Sequence, residues 1–213
     1  MAPYVRAWRR FLQRLPGVPI HPPFGPGRDL DLPGWGHETG RVWATGLVGR
    51  DRQLTVLRDA LTRAVSGAGG VLVIRGDPGI GKSALAGAAL DADAITSFVG
   101  HAVPGGSRPG RAVAEIAVAA LAAGASLDDP AVAMFRRPLE ALIGTAVAIP
   151  GLVENPAAFG PYAAAVGEGL LRLMSLAADP PIAVIEDLQW ADPDTQSVVE
   201  YIADHIHGRR PHW

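Results

Sequence analysis

Eight residues constrain this chain more than any others: Gly76-Asp77-Pro78-Gly79-Ile80-Gly81-Lys82-Ser83. They follow a short apolar run, Val71-Leu72-Val73-Ile74, and lead into an alanine-rich stretch, 83–90, of helical character. A continuous β-branched run of this length predicts a strand buried on both faces. Strand, glycine loop and helix in direct succession point to an α/β fold built on a parallel sheet. The loop matches the pattern G-x-x-x-x-G-K-[ST], in which backbone N–H groups surround a phosphate at the start of a helix. Lys82 is the only lysine in the chain; every other strong base is arginine. Lysine carries a compact ammonium on a flexible stem, suited to following a terminal phosphate, and the planar fork of arginine replaces it poorly. The alternative is a glycine-rich turn with an incidental Lys-Ser.

Composition sets the limits. At 213 residues the chain can form one domain with a sizeable core. Aromatic content is only 6%, which favours closely packed helices over a large aromatic cleft. The net charge of −2 supplies no global basic field for nucleic acid. The absence of cysteine excludes disulfides, thiolate metal sites and cysteine nucleophiles, and fits a reducing, cytoplasmic compartment. No apolar run reaches the roughly 18–20 residues of a membrane span. Arginines interrupt any signal-peptide core near the start.

Residues 1–46 read as a leader outside the fold, and 47–213 as the folded part. Tyr4, Trp8, Phe11, Leu12 and Leu15 fall at helical spacing among Arg6, Arg9, Arg10 and Arg14. That pattern suits either a basic amphipathic helix for a membrane surface or partner, or a frayed leader with no role. Residues 16–46 are crowded with proline and glycine and predict disorder. From 47 onward Asp51 reads as the N-cap of a helix carrying Leu54, Leu57, Leu61 and Val65. A second strand is expected at 95–99, with His101 just past its end. Helical patterns follow at 112–123, 131–143 and 157–177. Ile182-Ala183-Val184-Ile185 reads as a third buried strand. Asp192 then caps a helix with Pro193 at its first position, running to about 206.

The third strand ends in two acids, Glu186 and Asp187. Acids at the carboxyl end of a parallel strand share a sheet edge with the glycine loop, where open α/β sheets bind ligands. One carboxylate can hold Mg²⁺ through water while the next polarises an attacking water. By position, Glu186 faces the metal and Asp187 the water. Lys82 would bridge the β- and γ-phosphates of a nucleoside triphosphate, and Ser83 would place its hydroxyl on Mg²⁺. The alternative for the acidic pair is a solvated turn or a cap.

Three segments together resemble a known module. They are Leu47-Val48-Gly49-Arg50-Asp51-Arg52, the glycine loop, and Ile185-Glu186-Asp187-Leu188-Gln189-Trp190-Ala191-Asp192-Pro193. Over about residues 46–207 the chain looks like the AAA-type ATPase module of large LuxR-type (MalT-like) bacterial transcriptional regulators. Related modules are fused to class III nucleotide cyclases. The resemblance implies a P-loop NTPase fold, three layers αβα around a parallel sheet, with ATP and Mg²⁺ as cofactors and ATP or ADP bound. It puts Val48, Gly49 and Arg50 beside the adenine, their alternative being an ordinary helix lead-in. Trp190 is expected to pack behind the acids. DNA would be contacted only through a C-terminal domain that this chain does not carry.

In the family a sensor strand lies between the loop strand and the acid strand, and the chain reaches Trp213 without an apolar run to supply it. The reading is therefore a module truncated after the acids. Either its two remaining strands pair directly, or the fragment is unstable, or self-association or a partner completes the sheet. Three functions remain open on the sequence: a regulatory ATP-binding module with slow or no hydrolysis, a non-functional remnant, and a non-enzymatic partner-binding fragment.

Overall fold

A computed structural model describes residues 17–19, 49–92, 95–104, 109–144 and 159–206. Four strands are present among them: β1 (Gly17–Pro19), β2 (Val73–Arg75), β3 (Ser97–His101) and β4 (Ile182–Glu186). Six α-helices accompany them: α1 (Asp51–Val65), α2 (Lys82–Ala92), α3 (Arg111–Ala122), α4 (Arg136–Gly144), α5 (Phe159–Ala177) and α6 (Pro193–His205). Short 3₁₀ turns lie at Ala133–Phe135 and Leu188–Trp190. From β2 onward the expected order of strands and helices is realised, with β2 and β3 shifted toward the C-terminus of their predicted spans and the helix expected at 131–143 starting at Arg136 after a 3₁₀ turn; β1 was not expected.

All strand pairing is parallel, as expected, but the described strands form two ladders where one sheet was expected. β1 pairs with β2, and β3 pairs with β4. The strand after which the glycine loop begins and the strand ending in the acids therefore do not pair directly. Three residues of the expected leader, Gly17–Pro19, lie in a strand, in register with Val73–Arg75. Proline has no N–H to donate and is tolerated where a strand begins or edges a sheet. The expectation of strands buried on both faces also fails. Val73, Ile74 and most of β4 are only partly buried, because each two-stranded ladder is covered incompletely.

Two separate cores follow from the two ladders. The larger joins Phe98 of β3 to Val113, Ile116 and Ala117 of α3, Leu139 and Leu142 of α4, and Val166, Leu170 and Leu173 of α5. Alanines on α3 bring its axis close to its neighbours, as the composition suggested. The smaller core holds Leu57 of α1 against Leu85 and Ala89 of α2, with Leu54, Leu61, Leu72, Ile74 and Ile80 packed on it. Leu54, Leu57 and Leu61 are three of the four residues of the predicted apolar stripe of α1; the fourth, Val65, is exposed at the helix end. Asp51 is the first residue of that helix and not its cap; Arg50 stands at the N-cap and its side chain makes no capping bond.

Asp192 organises the carboxyl end of the β3–β4 ladder. Its Oδ1 accepts from the N–H groups of Asp194 and Thr195, both at 3.0 Å, which caps α6 as predicted. Oδ1 also accepts from the N–H of Gly110, the N-cap residue of α3, at 2.9 Å. Oδ2 accepts from the fully buried Thr195 hydroxyl at 2.8 Å. One carboxylate thus serves the N-termini of two helices, where orphan N–H groups and the helix dipoles both favour negative charge. Asp194 carries the opposite burden: burial and the neighbouring charge of Asp192 push its carboxyl up to about 6.

Asp192→Ala removes a cap and strands the Gly110 and Thr195 donors, so a loss of about 2–4 kcal/mol is expected from denaturant melts. Asp192→Asn, which keeps an acceptor at Oδ1, should lose less; equal losses would refute the double-cap account. For Asp194 the folded pKa lies above the unfolded one, so its contribution is present at low pH and lost as pH rises through about 6. Asp194→Asn is therefore expected to raise stability by about 1 kcal/mol at pH 7.5, allowing for partial exposure, and to give no gain near pH 4. Thermal melts at the two pH values test this.

Candidate functional site

The glycine loop is shaped by two left-handed residues, Gly79 (φ +76°) and Gly81 (φ +87°). No other atom lies within 4 Å of where a Cβ would sit at either position, so backbone conformation and not crowding calls for glycine there. Successive glycine turns of this kind are the usual way for a loop to collect N–H groups, and α2 begins directly after them at Lys82, where the first helical N–H groups lack partners within the helix. The loop is held from behind at its apex. The Ile80 side chain packs on the smaller core, and its carbonyl accepts from Arg50 Nη2 at 3.3 Å. Arg50 is itself buried. The Gly49–Arg50 lead-in, singled out by sequence, thus reaches the loop across 30 residues of chain. Val48 lies outside the described residues.

Lys82 folds back over its own loop. Its ammonium donates to the carbonyls of Gly76 at 3.1 Å and Asp77 at 3.0 Å and is exposed. Such bonds to neutral acceptors in water are weak, so an anion that offers full charge can displace them. Gly76, Asp77, Pro78, Gly79, Ile80, Gly81, Lys82 and Ser83 form the continuous segment that joins β2 to α2.

The acids sit elsewhere. Glu186 ends β4 opposite His101 in the ladder, and its carbonyl accepts from Ala102 N at 3.1 Å. Its carboxylate forms no hydrogen bond or ion pair with another described residue. Asp187 adopts φ +52°, the only non-glycine among the described residues with a positive φ. Asp tolerates this region better than most residues, and such geometry clusters at functional sites. Gln189 Nε2 donates to Asp187 Oδ1 at 2.9 Å, and Trp190 N donates to the Asp187 carbonyl at 2.8 Å. The expectation that Trp190 packs behind the acids is overturned: the 3₁₀ turn swings it outward and half its surface is exposed. Among the described residues no ladder joins these acids to the glycine loop; Gly69 lies close to the Ile206 carbonyl.

Two features escaped the sequence reading. One is the Gly110 bond to Asp192, which no spacing rule reveals across 82 residues. The other is a trio at the end of β3. Glu115 Oε2 accepts from His101 N at 2.8 Å and meets His101 Nδ1 at 3.0 Å, while Oε1 accepts from Arg111 Nε at 2.8 Å. Arg111 and Glu115 at i and i+4 were readable as a helix pair. His101 joins them only because α3 lies directly on β3, with the Ala112 carbonyl 2.0 Å from where a Cβ on Gly100 would sit. Burial pulls Glu115 upward, but hydrogen bonds from Arg111 and His101 outweigh it and hold the carboxyl below its ordinary value. The leader helix, the 105–108 loop, His207, Arg209 and Arg210 lie outside the described residues.

Parallel strands, a glycine loop opening a helix and an acid-ended strand define a P-loop α/β module. Residues 46–211 match the AAA ATPase domain family, and the chain belongs to it. No curated protein and no solved structure matches the chain. Family membership brings nucleotide binding with it. No described helix is long and apolar enough to cross a membrane.

Arg50→Ala should cost about 1–3 kcal/mol by leaving the Ile80 carbonyl unsatisfied and the apex of the loop unsupported. Chemical denaturation measures it; an unchanged midpoint would show that Arg50 does not brace the loop.

Proposed function

We propose that the chain is an ATP–Mg²⁺-binding module of a regulatory ATPase, in which nucleotide state sets conformation and hydrolysis is slow. The observation that carries the reading is the loop: two left-handed glycines, an apex braced by Arg50, and a lysine free to leave its own carbonyls for a phosphate. The match to the AAA ATPase domain family supports it. In this reading the backbone N–H groups of Asp77 and of Gly79 to Ser83 would surround the β-phosphate, and Lys82 would reach the β- and γ-phosphates. Val48, Gly49 and Arg50 line the adenine.

The metal-facing donors, the Ser83 hydroxyl and the Glu186 carboxylate, which has no partner among the described residues, are all oxygen, and that set fits a hard cation such as Mg²⁺. When bound, Mg²⁺ neutralises charge between the phosphates. Asp187 polarises the attacking water. Its left-handed backbone and the Gln189 bond fix its carboxylate direction. Loop and acids hang on separate ladders, which favours slow turnover until the two are drawn together. A strand added between β2 and β4, from a partner or a second copy, would do so. The likeness to LuxR-type regulators supports a cytoplasmic, signal-transducing role and not a metabolic one.

Lys82→Ala is expected to weaken ATP–Mg²⁺ binding about 30–150-fold by calorimetry, since a charge-assisted phosphate contact is worth about 2–3 kcal/mol. Unchanged affinity would sink the reading. Turnover by the intact site is expected on the order of 10⁻³–10⁻² s⁻¹, the range of switch NTPases without an external arginine. Many turnovers per second would overturn the slow-switch part alone.

A further inference from the structure

His101 stands at a position that the reading above leaves unused. It shares the last register position of the β3–β4 ladder with Glu186, so the two side chains leave neighbouring strands about 5 Å apart at their backbones. Its ring is more than half exposed, which sets it apart from a histidine packed in a core. One side of the ring is already committed. Glu115 is held below the ordinary carboxylate range, so it is ionised and accepts. It takes the backbone N–H of His101 on Oε2, the atom that also meets Nδ1 at 3.0 Å. Arg111 occupies the other oxygen. An ionised acceptor at Nδ1 puts the proton of the neutral imidazole there and leaves Nε2 with a lone pair. A carboxylate that orients a histidine in this way is the usual outer partner of an imidazole at a cation site. Beside it the Glu186 carboxylate has no partner among the described residues.

We propose that His101 is a positioning residue of the nucleotide site, its Nε2 accepting a hydrogen bond from a water of the cation that Glu186 holds. The inference rests on the nucleotide–Mg²⁺ reading of Glu186. Water bound to a divalent cation is a strong donor and needs acceptors around it. Glu186 supplies one and His101 the next, on a ring whose tilt Glu115 and Arg111 fix. The competing account is that the trio only braces α3 against β3. That bracing would act on the fold whether or not a cation is present.

The experiment measures ATP affinity of the full chain by calorimetry, once with Mg²⁺ and once with EDTA. The proteins are the wild type, His101→Ala, Glu186→Gln and the double variant. His101→Ala is expected to weaken ATP–Mg²⁺ binding about 10-fold, as loss of an outer-shell partner does, and to leave ATP binding in EDTA unchanged. On top of Glu186→Gln it should add little, because both act through one cation. Equal loss in the two conditions, no loss, or full additivity with Glu186→Gln overturns the proposal. Should His101→Ala melt without cooperativity, His101→Gln carries the same comparison, with affinity in EDTA as the internal control. Lys82→Ala separates the two levels. If it binds ATP–Mg²⁺ like the wild type, the nucleotide reading itself fails; if binding needs Lys82 but not His101, only the present inference fails.

Discussion

The architecture of the acid-bearing half turns on the Asp192 carboxylate. Three backbone N–H groups and a buried hydroxyl converge on it from the starts of α3 and α6. Helix starts carry unsatisfied donors and positive partial charge, and a buried start needs a partner for each. Here one residue meets much of that need for two helices at once. The segment from Asp187 to Asp192 is thereby fixed at both ends, by the β4 ladder and by the double cap. The direction in which Asp187 points follows from that fixation.

The glycine loop is built on a different principle. Its shape comes from backbone freedom at Gly79 and Gly81, and its position from a small core beneath Ile80. That core is far smaller than the one under β3, and small cores open more easily. An acid edge tied by a ladder and a double cap, and a phosphate loop resting on a smaller core, sit on described ladders that do not pair, which suits the proposed function, in which ligand draws the two together. Nucleotide would then be the bridge between them, with the phosphate end on the loop and its cation at the acids.

Much of the local structure was legible in the sequence. The stripe Leu54, Leu57, Leu61 announced α1, Asp192-Pro193 announced the start of α6, and β2, β3 and β4 were betrayed by short apolar runs; β1, in a Pro/Gly-rich segment, was not. These signals are local and obey fixed periods, so they survive without knowledge of neighbours. Boundaries slipped where the cue was not local. Asp51 looked like a cap, but the turn at Gly49 placed Arg50 there, since Arg50 is drawn beneath the loop by Ile80. The resemblance placed Trp190 behind the acids, and the 3₁₀ turn after a left-handed Asp187 put it outside.

By itself the sequence determined the loop, its lysine, the acids and the family, because each is a contiguous run whose chemistry is written in residue type and spacing. Tertiary structure alone decided three matters: that the loop strand and acid strand keep separate ladders, that Asp192 reaches Gly110, and that His101 is held by Glu115 beside Glu186. Each joins residues distant in sequence. Such pairings depend on how close helix backbones approach, here α3 lying on Gly100, and that distance is set by the packing of the whole core and by no single segment.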